Sequence, residues 1–268
     1  MTTNRFLRKH VALPSDHGAW VFLLSPLLIG IFVVGTVHRA TLVLCVAALG
    51  AFLLRQPVST LVKVFAQRRG RADLPATWLW ASVYGAVCLL ALVWLWQNGY
   101  GFVIGLAIPG LLVFGWHLWL VAQREERGKL GMDVVASGAL ALAAPAAYWV
   151  GTGVPDALGW WLWGLTWLQS AASIVYAFLR LEQRGGPPSV TLVRRALSYS
   201  GFNLLLSAGL SASSIFPPAL WLPFALQFIE TVYGVRNPAT GYRPVQIGVR
   251  QLVVSSVFTV LFIWVWRL

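Results

Sequence analysis

The chain has 268 residues, of which 58% are hydrophobic and only 10% are charged, and its formal net charge is +12. Soluble domains carry roughly 25% charged residues, so this composition excludes soluble globular, disordered and collagen-like proteins. It indicates an integral membrane protein, whose positive charge serves topology and contact with anionic lipids rather than nucleic-acid binding.

Nine apolar segments follow one another along the chain, and most reach the roughly 20 residues that a helix needs to cross a bilayer. The second is short and the seventh is rich in serine. The segments span residues 19–37, 40–54, 77–96, 101–121, 132–151, 158–179, 197–213, 218–235 and 249–266. We therefore expect one all-α integral membrane domain over residues 1–268, a bundle of about nine transmembrane helices, with residues 1–18 as a cytoplasmic N-terminus leading into the first span.

The basic residues alternate with these segments. If the N-terminus is cytoplasmic, eighteen of the twenty Lys and Arg residues fall on the cytoplasmic side, and only Arg39 and Arg267 fall outside. Cytoplasmic loops are enriched in Lys and Arg, so the distribution predicts an N-in, C-out topology in a bacterial cytoplasmic (inner) membrane.

The string PSDHGAW, residues 14–20, opens the first span. Ser15 or Asp16 can cap the helix and Trp20 can anchor at the interface, but neither role requires His17. An imidazole titrates near neutral pH, which makes His17 a candidate for proton transfer. The alternatives are a structural His17 and a haem held by His17 and His117, which would require the first and fourth spans to touch.

Two cationic faces follow the second and sixth spans. Arg55 and Lys63 are eight residues apart, with Ser59 midway, so a continuing helix would place them on one face. Arg180 and Arg184 are spaced i, i+4 at the end of the sixth span. These four basic residues are the predicted binding site for one anion, such as a phosphate, diphosphate or carboxylate. The alternative is that they only fix topology and contact lipid headgroups.

Glu230 lies near the end of the eighth span, where a carboxylate is either paired with an arginine or protonated. Arg250, at the start of the ninth span, is the expected partner, because a short hairpin loop joins the two spans. Glu230 is the second candidate for proton transfer.

No metal ligands are predicted. Cys45 and Cys88 lie inside apolar segments and indicate neither a disulfide framework nor a metal site. The sequence has no Walker A loop, no His-Glu-x-x-His and no Asp-x-x-x-Asp. The cofactor stays unknown.

The PSDHGAW string at residues 14–20 resembles the YwiC-like membrane protein family. Residues 176–184 and 248–251 also look like that family. The length and even hydropathy suggest a likeness over the whole chain, in a bacterial inner membrane. More distantly, the order of helices and motifs is similar to UbiA-type prenyltransferases, which have nine helices and polar motifs after the second and sixth. In that superfamily Asp stands at the positions of Ser173 and Arg180, so the resemblance implies a UbiA-like fold without its magnesium-dependent chemistry.

The leading hypothesis is a cytoplasm-facing basic site that binds or processes an amphipathic, lipid-derived or isoprenoid anion, with membrane lipids as partners. Whether the protein is an enzyme is left open. The alternative is a non-enzymatic membrane protein, either a transporter or an assembly factor for a respiratory complex.

Overall fold

A computed structural model describes residues 8–14, 19–125, 128–213 and 215–268. Its regular elements over these ranges are all helical. A 3₁₀ turn covers Arg71–Asp73. The α-helices are α1 (Lys9–Ala12), α2 (Ala19–Val34), α3 (Arg39–Phe65), α4 (Leu74–Gln97), α5 (Phe102–Gln123), α6 (Leu130–Ala141), α7 (Ala143–Thr152), α8 (Ala157–Glu182), α9 (Val190–Ser211), α10 (Trp221–Arg236) and α11 (Pro244–Trp266).

Within the described chain, six helical segments are long and apolar enough to cross a membrane. They are Arg39–Phe65, Arg71–Gln97, Phe102–Gln123, Leu130–Thr152, Ala157–Glu182 and Pro244–Trp266. Large apolar side chains also remain exposed around the bundle, for example Leu90 and Leu112, as a lipid environment permits. The protein is therefore a multi-pass membrane protein with an all-helical fold. The other three predicted spans fall on α2, α9 and α10, which are shorter or more polar.

The second predicted segment was too short, and the fifth is confirmed as one candidate span that contains an interruption. The second apolar segment, 40–54, is only part of α3, which continues through Pro57 to Phe65. The fifth, 132–151, is interrupted at Leu142. Pro145 causes this interruption because it has no N–H to donate to the carbonyl of Ala141. Leu142, between α6 and α7, keeps near-helical angles (φ −60°, ψ −14°).

Helix α8 is the most enclosed of the six long segments, and α4 and α5 lie at the periphery. Small residues allow close helix contacts. Gly30 of α2 packs against the backbone of Ala144 in α7, where a side chain would collide. At the end of the bundle where α8 begins, aromatic and aliphatic side chains form an apolar cluster of Ile29, Ala144, Leu162, Leu165, Phe216, Leu220, Phe224, Phe258 and Phe262. The polar residues of α8, α10 and α11 lie between this cluster and the end of the bundle where α8 ends.

Candidate functional site

Arg180 lies in the last turns of α8 and is only 3% exposed. Its guanidinium donates to the carbonyls of Gly234 (2.8 Å) and Asn237 (2.6 Å) and to Gln183 Oε1 (2.8 Å). The two carbonyls belong to the C-terminus of α10, where a cation is favoured by unpaired carbonyls and the helix dipole. Arg180 therefore ties the end of α10 to α8.

Aromatic rings complete the surroundings of this guanidinium. Its carbon lies 5.9 Å from the ring centre of Tyr176 and 5.8 Å from that of Tyr242, both within the range of cation–π attraction. Among the described residues no carboxylate forms an ion pair with Arg180. The hydrogen bonds and ring contacts of Arg180 in the described part of the chain are thus all with uncharged groups.

Glu230 and Arg250 form a bidentate ion pair beside Arg180. Arg250 Nε donates to Glu230 Oε1 (2.6 Å) and its Nη2 donates to Oε2 (2.8 Å). Tyr176 Oη donates to Glu230 Oε1 as well (2.8 Å). The carboxylate side chain is 12% exposed and the guanidinium side chain 37%. The expected pairing of Glu230 with Arg250 is confirmed, and three hydrogen bonds from two residues hold this carboxylate in place.

Gly234 makes this arrangement sterically possible. The phenol of Tyr176 occupies the space that a Cβ at residue 234 would fill, with the ring carbon Cζ only 2.7 Å from that position. Because glycine has no side chain, Tyr176 can pass against α10 and reach Glu230 one turn earlier. The close approach of α8 and α10 therefore depends on a single small residue.

A small cavity opens between these groups. Its volume is about 10 Å³, close to the ~10–15 Å³ that one water molecule requires. The residues lining it are Tyr176, Arg180, Tyr242, Ile247, Arg250 and Gln251. With Glu230 as the paired carboxylate, two arginines face one acid, which leaves one excess positive charge. Hydrogen-bond donors and excess positive charge are the chemistry that binds an anion.

The other predicted anion-binding residues lie outside the lining of this cavity. Arg184 donates from Nε to the carbonyl of Tyr242 (2.6 Å) and so holds the α10–α11 loop. Arg55 lies on α3 with its guanidinium over the ring of Phe52, and Lys63 lies in the last turn of α3. A shared site for all four basic residues stays a prediction. His17 falls outside the described residues.

A second basic region lies at the end of α3. It is an open groove of about 770 Å³, and its lining includes Arg68, Arg69 and Arg71. Asp73 pairs with Arg69 (2.8 Å) and with Arg8. Cations outnumber carboxylates here too, but the groove is open and its residues are accessible, as expected of arginines that contact lipid headgroups.

Sequence reasoning missed several residues of the enclosed site. Tyr242, Gln183 and Gln251 were not proposed, although Gln183 directly follows α8 and Gln251 directly follows Arg250. The signal that could have indicated these residues is their position next to basic residues at helix ends. Over the described residues, no group of three His, Cys, Asp or Glu side chains could hold a metal ion.

Comparison with known proteins gives one family match. No curated protein and no solved structure matches the chain. The YwiC-like protein family matches residues 13–148, which is just over half of the chain. This range includes the PSDHGAW string and helices α2 to α6, but it ends before Arg180 and Glu230, so the match is shorter than the expected whole-chain likeness. On this match, the chain belongs to the YwiC-like protein family.

Proposed function

We propose that this protein binds the anionic head of an amphipathic, lipid-derived molecule at the mouth of the cavity between Arg180 and Arg250, since the cavity itself has room for about one water. In this proposal the protein resides in a bacterial cytoplasmic membrane, crosses it nine times and has a cytoplasmic N-terminus. The cavity then faces the cytoplasm, at the level of the inner headgroups. Membrane lipids or isoprenoid anions are the ligand class.

The observation that carries the proposal is the buried charge of Arg180. A buried charge is costly unless an opposite charge compensates it. The nearby carboxylate of Glu230 already accepts hydrogen bonds from Nε and Nη2 of Arg250. An anion beside the two arginines would neutralise the excess charge and accept hydrogen bonds from their guanidinium groups and from the hydroxyl of Tyr242, whereas the hydroxyl of Tyr176 already donates to Glu230.

Contacts between helix ends support the proposed topology. On the side assigned to the cytoplasm, Gln56 donates to the carbonyl of His10 and Arg184 to that of Tyr242. On the opposite side, Arg267 donates to the carbonyl of Phe32. Each of these contacts joins segments that nine alternating crossings place on the same side.

The remaining predicted residues keep their roles within the proposal. Arg55, Lys63 and Arg184 would attract the anion toward the cavity from its rim. Glu230 and His17 are the groups proposed for proton transfer, should the bound molecule be processed. The UbiA-like arrangement and the alternatives of a transporter or a respiratory assembly factor stay predictions.

Two measurements test the proposal. The first is mass spectrometry of lipids and quinones that copurify with the protein. The second is the thermal unfolding midpoint in a neutral detergent with dodecyl phosphate as an amphipathic anion. A ligand at ten times its dissociation constant raises the midpoint by ~3–6 °C for a chain of this size. Inorganic phosphate, which has no tail, should shift the midpoint much less.

Substitutions identify the site. Arg180→Gln should abolish the shift with dodecyl phosphate, and Arg180→Lys should retain part of it because the charge remains without the planar fork. Arg195→Gln is the matched control, since Arg195 is an exposed arginine on α9. A full shift in Arg180→Gln, or an equal shift with inorganic phosphate, would refute an amphipathic anion site at this position.

A further inference from the structure

A column of polar side chains leads from the cavity into the middle of the bundle. Gln251 lines the cavity and donates to the backbone carbonyl of Ser173 (3.3 Å). The hydroxyl of Ser173 accepts from Nε2 of Gln169 and from Nε2 of Gln227, both at 3.1 Å. Gln169 Nε2 also lies 3.5 Å from the hydroxyl of Ser255. We name these five residues the polar column.

The polar column reaches about halfway through the membrane. Gln169 precedes Arg180 by eleven residues on α8, which is about 16 Å along a helix at 1.5 Å per residue. The hydrocarbon core is about 30 Å thick. On the far side of the polar column lies the apolar cluster of Phe224, Phe258 and Phe262 with its aliphatic neighbours. The polar column thus begins at the cavity, at Gln251, and ends at the aromatic rings of the apolar cluster.

One acceptor in the polar column has no protein partner. Gln227 is 6% exposed, and among the described residues no donor reaches its Oε1. Rotating the amide by 180° does not help, because Nε2 lies 2.8 Å from the backbone carbonyl of Gln169. The rotated amide would set two acceptors against each other. A buried amide oxygen without a donor is destabilising, and in a bilayer core no bulk solvent can compensate.

We propose that water enters the bundle from the Arg180 cavity and donates a hydrogen bond to Gln227 Oε1, and that the phenylalanine cluster stops it there. The hydroxyls of Ser173 and Ser255 supply further hydrogen-bonding groups for the same water, and buried waters typically make about three such bonds. The cavity volume of about 10 Å³ admits one water at a time. The protein therefore has an aqueous path open from one face only. This inference does not depend on which anion the cavity binds.

Single cysteines test the path. In a Cys45→Ala, Cys88→Ala background, Ser173→Cys and Ser255→Cys place thiols in the polar column. Ser207→Cys is the matched control. Ser207 is equally buried, but its hydroxyl bonds to its own helix at Leu204. The probe is Ag⁺, which reacts with thiols and passes through water rather than lipid. The readout is the loss of N-ethylmaleimide labelling after denaturation, measured by mass spectrometry.

Right-side-out and inverted vesicles separate the two faces, and Arg184→Cys marks the face that carries the cavity. We expect Ser173→Cys and Ser255→Cys to react from that face at least tenfold faster than Ser207→Cys. Adding Gln227→Leu should slow the reaction at residue 173 about tenfold, because the water loses its acceptor.

Three results would overturn the inference. The first is equally slow reaction at residues 173, 255 and 207, which means a dry column. The second is faster reaction from the face opposite to Arg184→Cys, which means that the phenylalanine cluster does not close the path. The third is fast reaction at residue 207 as well, which means that Ag⁺ passes through the bundle everywhere. Binding of dodecyl phosphate is measured separately, so failure of the water path and failure of the anion site can be told apart.

Discussion

Gly234→Ala is the sharpest perturbation of the site, because it adds one methyl group where Tyr176 stands against α10. The added carbon would overlap the phenol of Tyr176, whose Cζ lies 2.7 Å from that position. Real side chains do not approach this closely, so the ring must move. A displaced ring cannot keep the hydrogen bond of 2.8 Å to Glu230.

The size of the effect follows from three contributions. Loss of a hydrogen bond to a charged acceptor costs about 1.5–3 kcal/mol. Overpacking a tightly filled contact costs about 1–3 kcal/mol. Alanine in place of glycine inside a helix returns about 1 kcal/mol. We expect Gly234→Ala to lower the free energy of unfolding by about 1.5–5 kcal/mol, measured by denaturant titration in mixed micelles with circular dichroism.

A matched glycine and a second substitution make the test specific. Gly248 lies in α11, and a Cβ there would meet nothing within 4 Å. Gly248→Ala should therefore be neutral or stabilise by up to about 1 kcal/mol. In a Tyr176→Ala background the space beside residue 234 is empty, and the cost of Gly234→Ala should fall below about 1 kcal/mol. An undiminished cost in that background would refute the proposed contact.

Three further predictions use other parts of the molecule. Glu230→Gln and Arg250→Gln should each cost about 2 kcal/mol in the same titration, since the pair is only partly exposed, and the double variant should cost about 1–2 kcal/mol less than the sum. A reporter fused after Leu268 should be active in the periplasm, and activity in the cytoplasm would contradict nine crossings with a cytoplasmic N-terminus. His17→Asn should fold normally and lose ligand retention in detergent if the imidazole transfers a proton, whereas unchanged retention would assign His17 a structural role.

The positions of the helices were predictable because lipid selects continuous apolar segments. The helix ends were less predictable, since the terminal turns are polar and depend on capping. Ser189 caps α9 by accepting from the backbone N–H of Leu192, so α9 begins seven residues before the apolar segment at 197. In α3 the basic residues of the final turns follow the apolar segment without ending the helix. Hydropathy locates the membrane core, whereas backbone hydrogen bonds determine where each helix ends.

The site was only partly predictable for a related reason. Glu230 and Arg250 were expected to pair, because opposite charges on adjacent helices attract across a short loop. Arg180 instead binds backbone carbonyls of Gly234 and Asn237, and a sequence pattern gives no sign of such partners. The contact of Tyr176 with Glu230 also requires the missing side chain at Gly234, which no charge rule includes. Charge pairing can be read from a sequence, but pairing with carbonyl groups depends on how the helices cross.

Burial separates the two explanations of the basic residues at this end of the protein. Arginines that only fix topology act during insertion and can remain in water or among headgroups, as Arg194 and Arg195 do. A topological role gives no reason to bury a guanidinium to 3% exposure, where desolvation opposes its charge. Arg180 is enclosed between two tyrosine rings and the end of α10. The carboxylate of Glu230, on α10, is already paired with Arg250. An anion at the mouth of this cavity, at the headgroup level, would offset the excess positive charge beside Arg180, which has no carboxylate partner among the described residues.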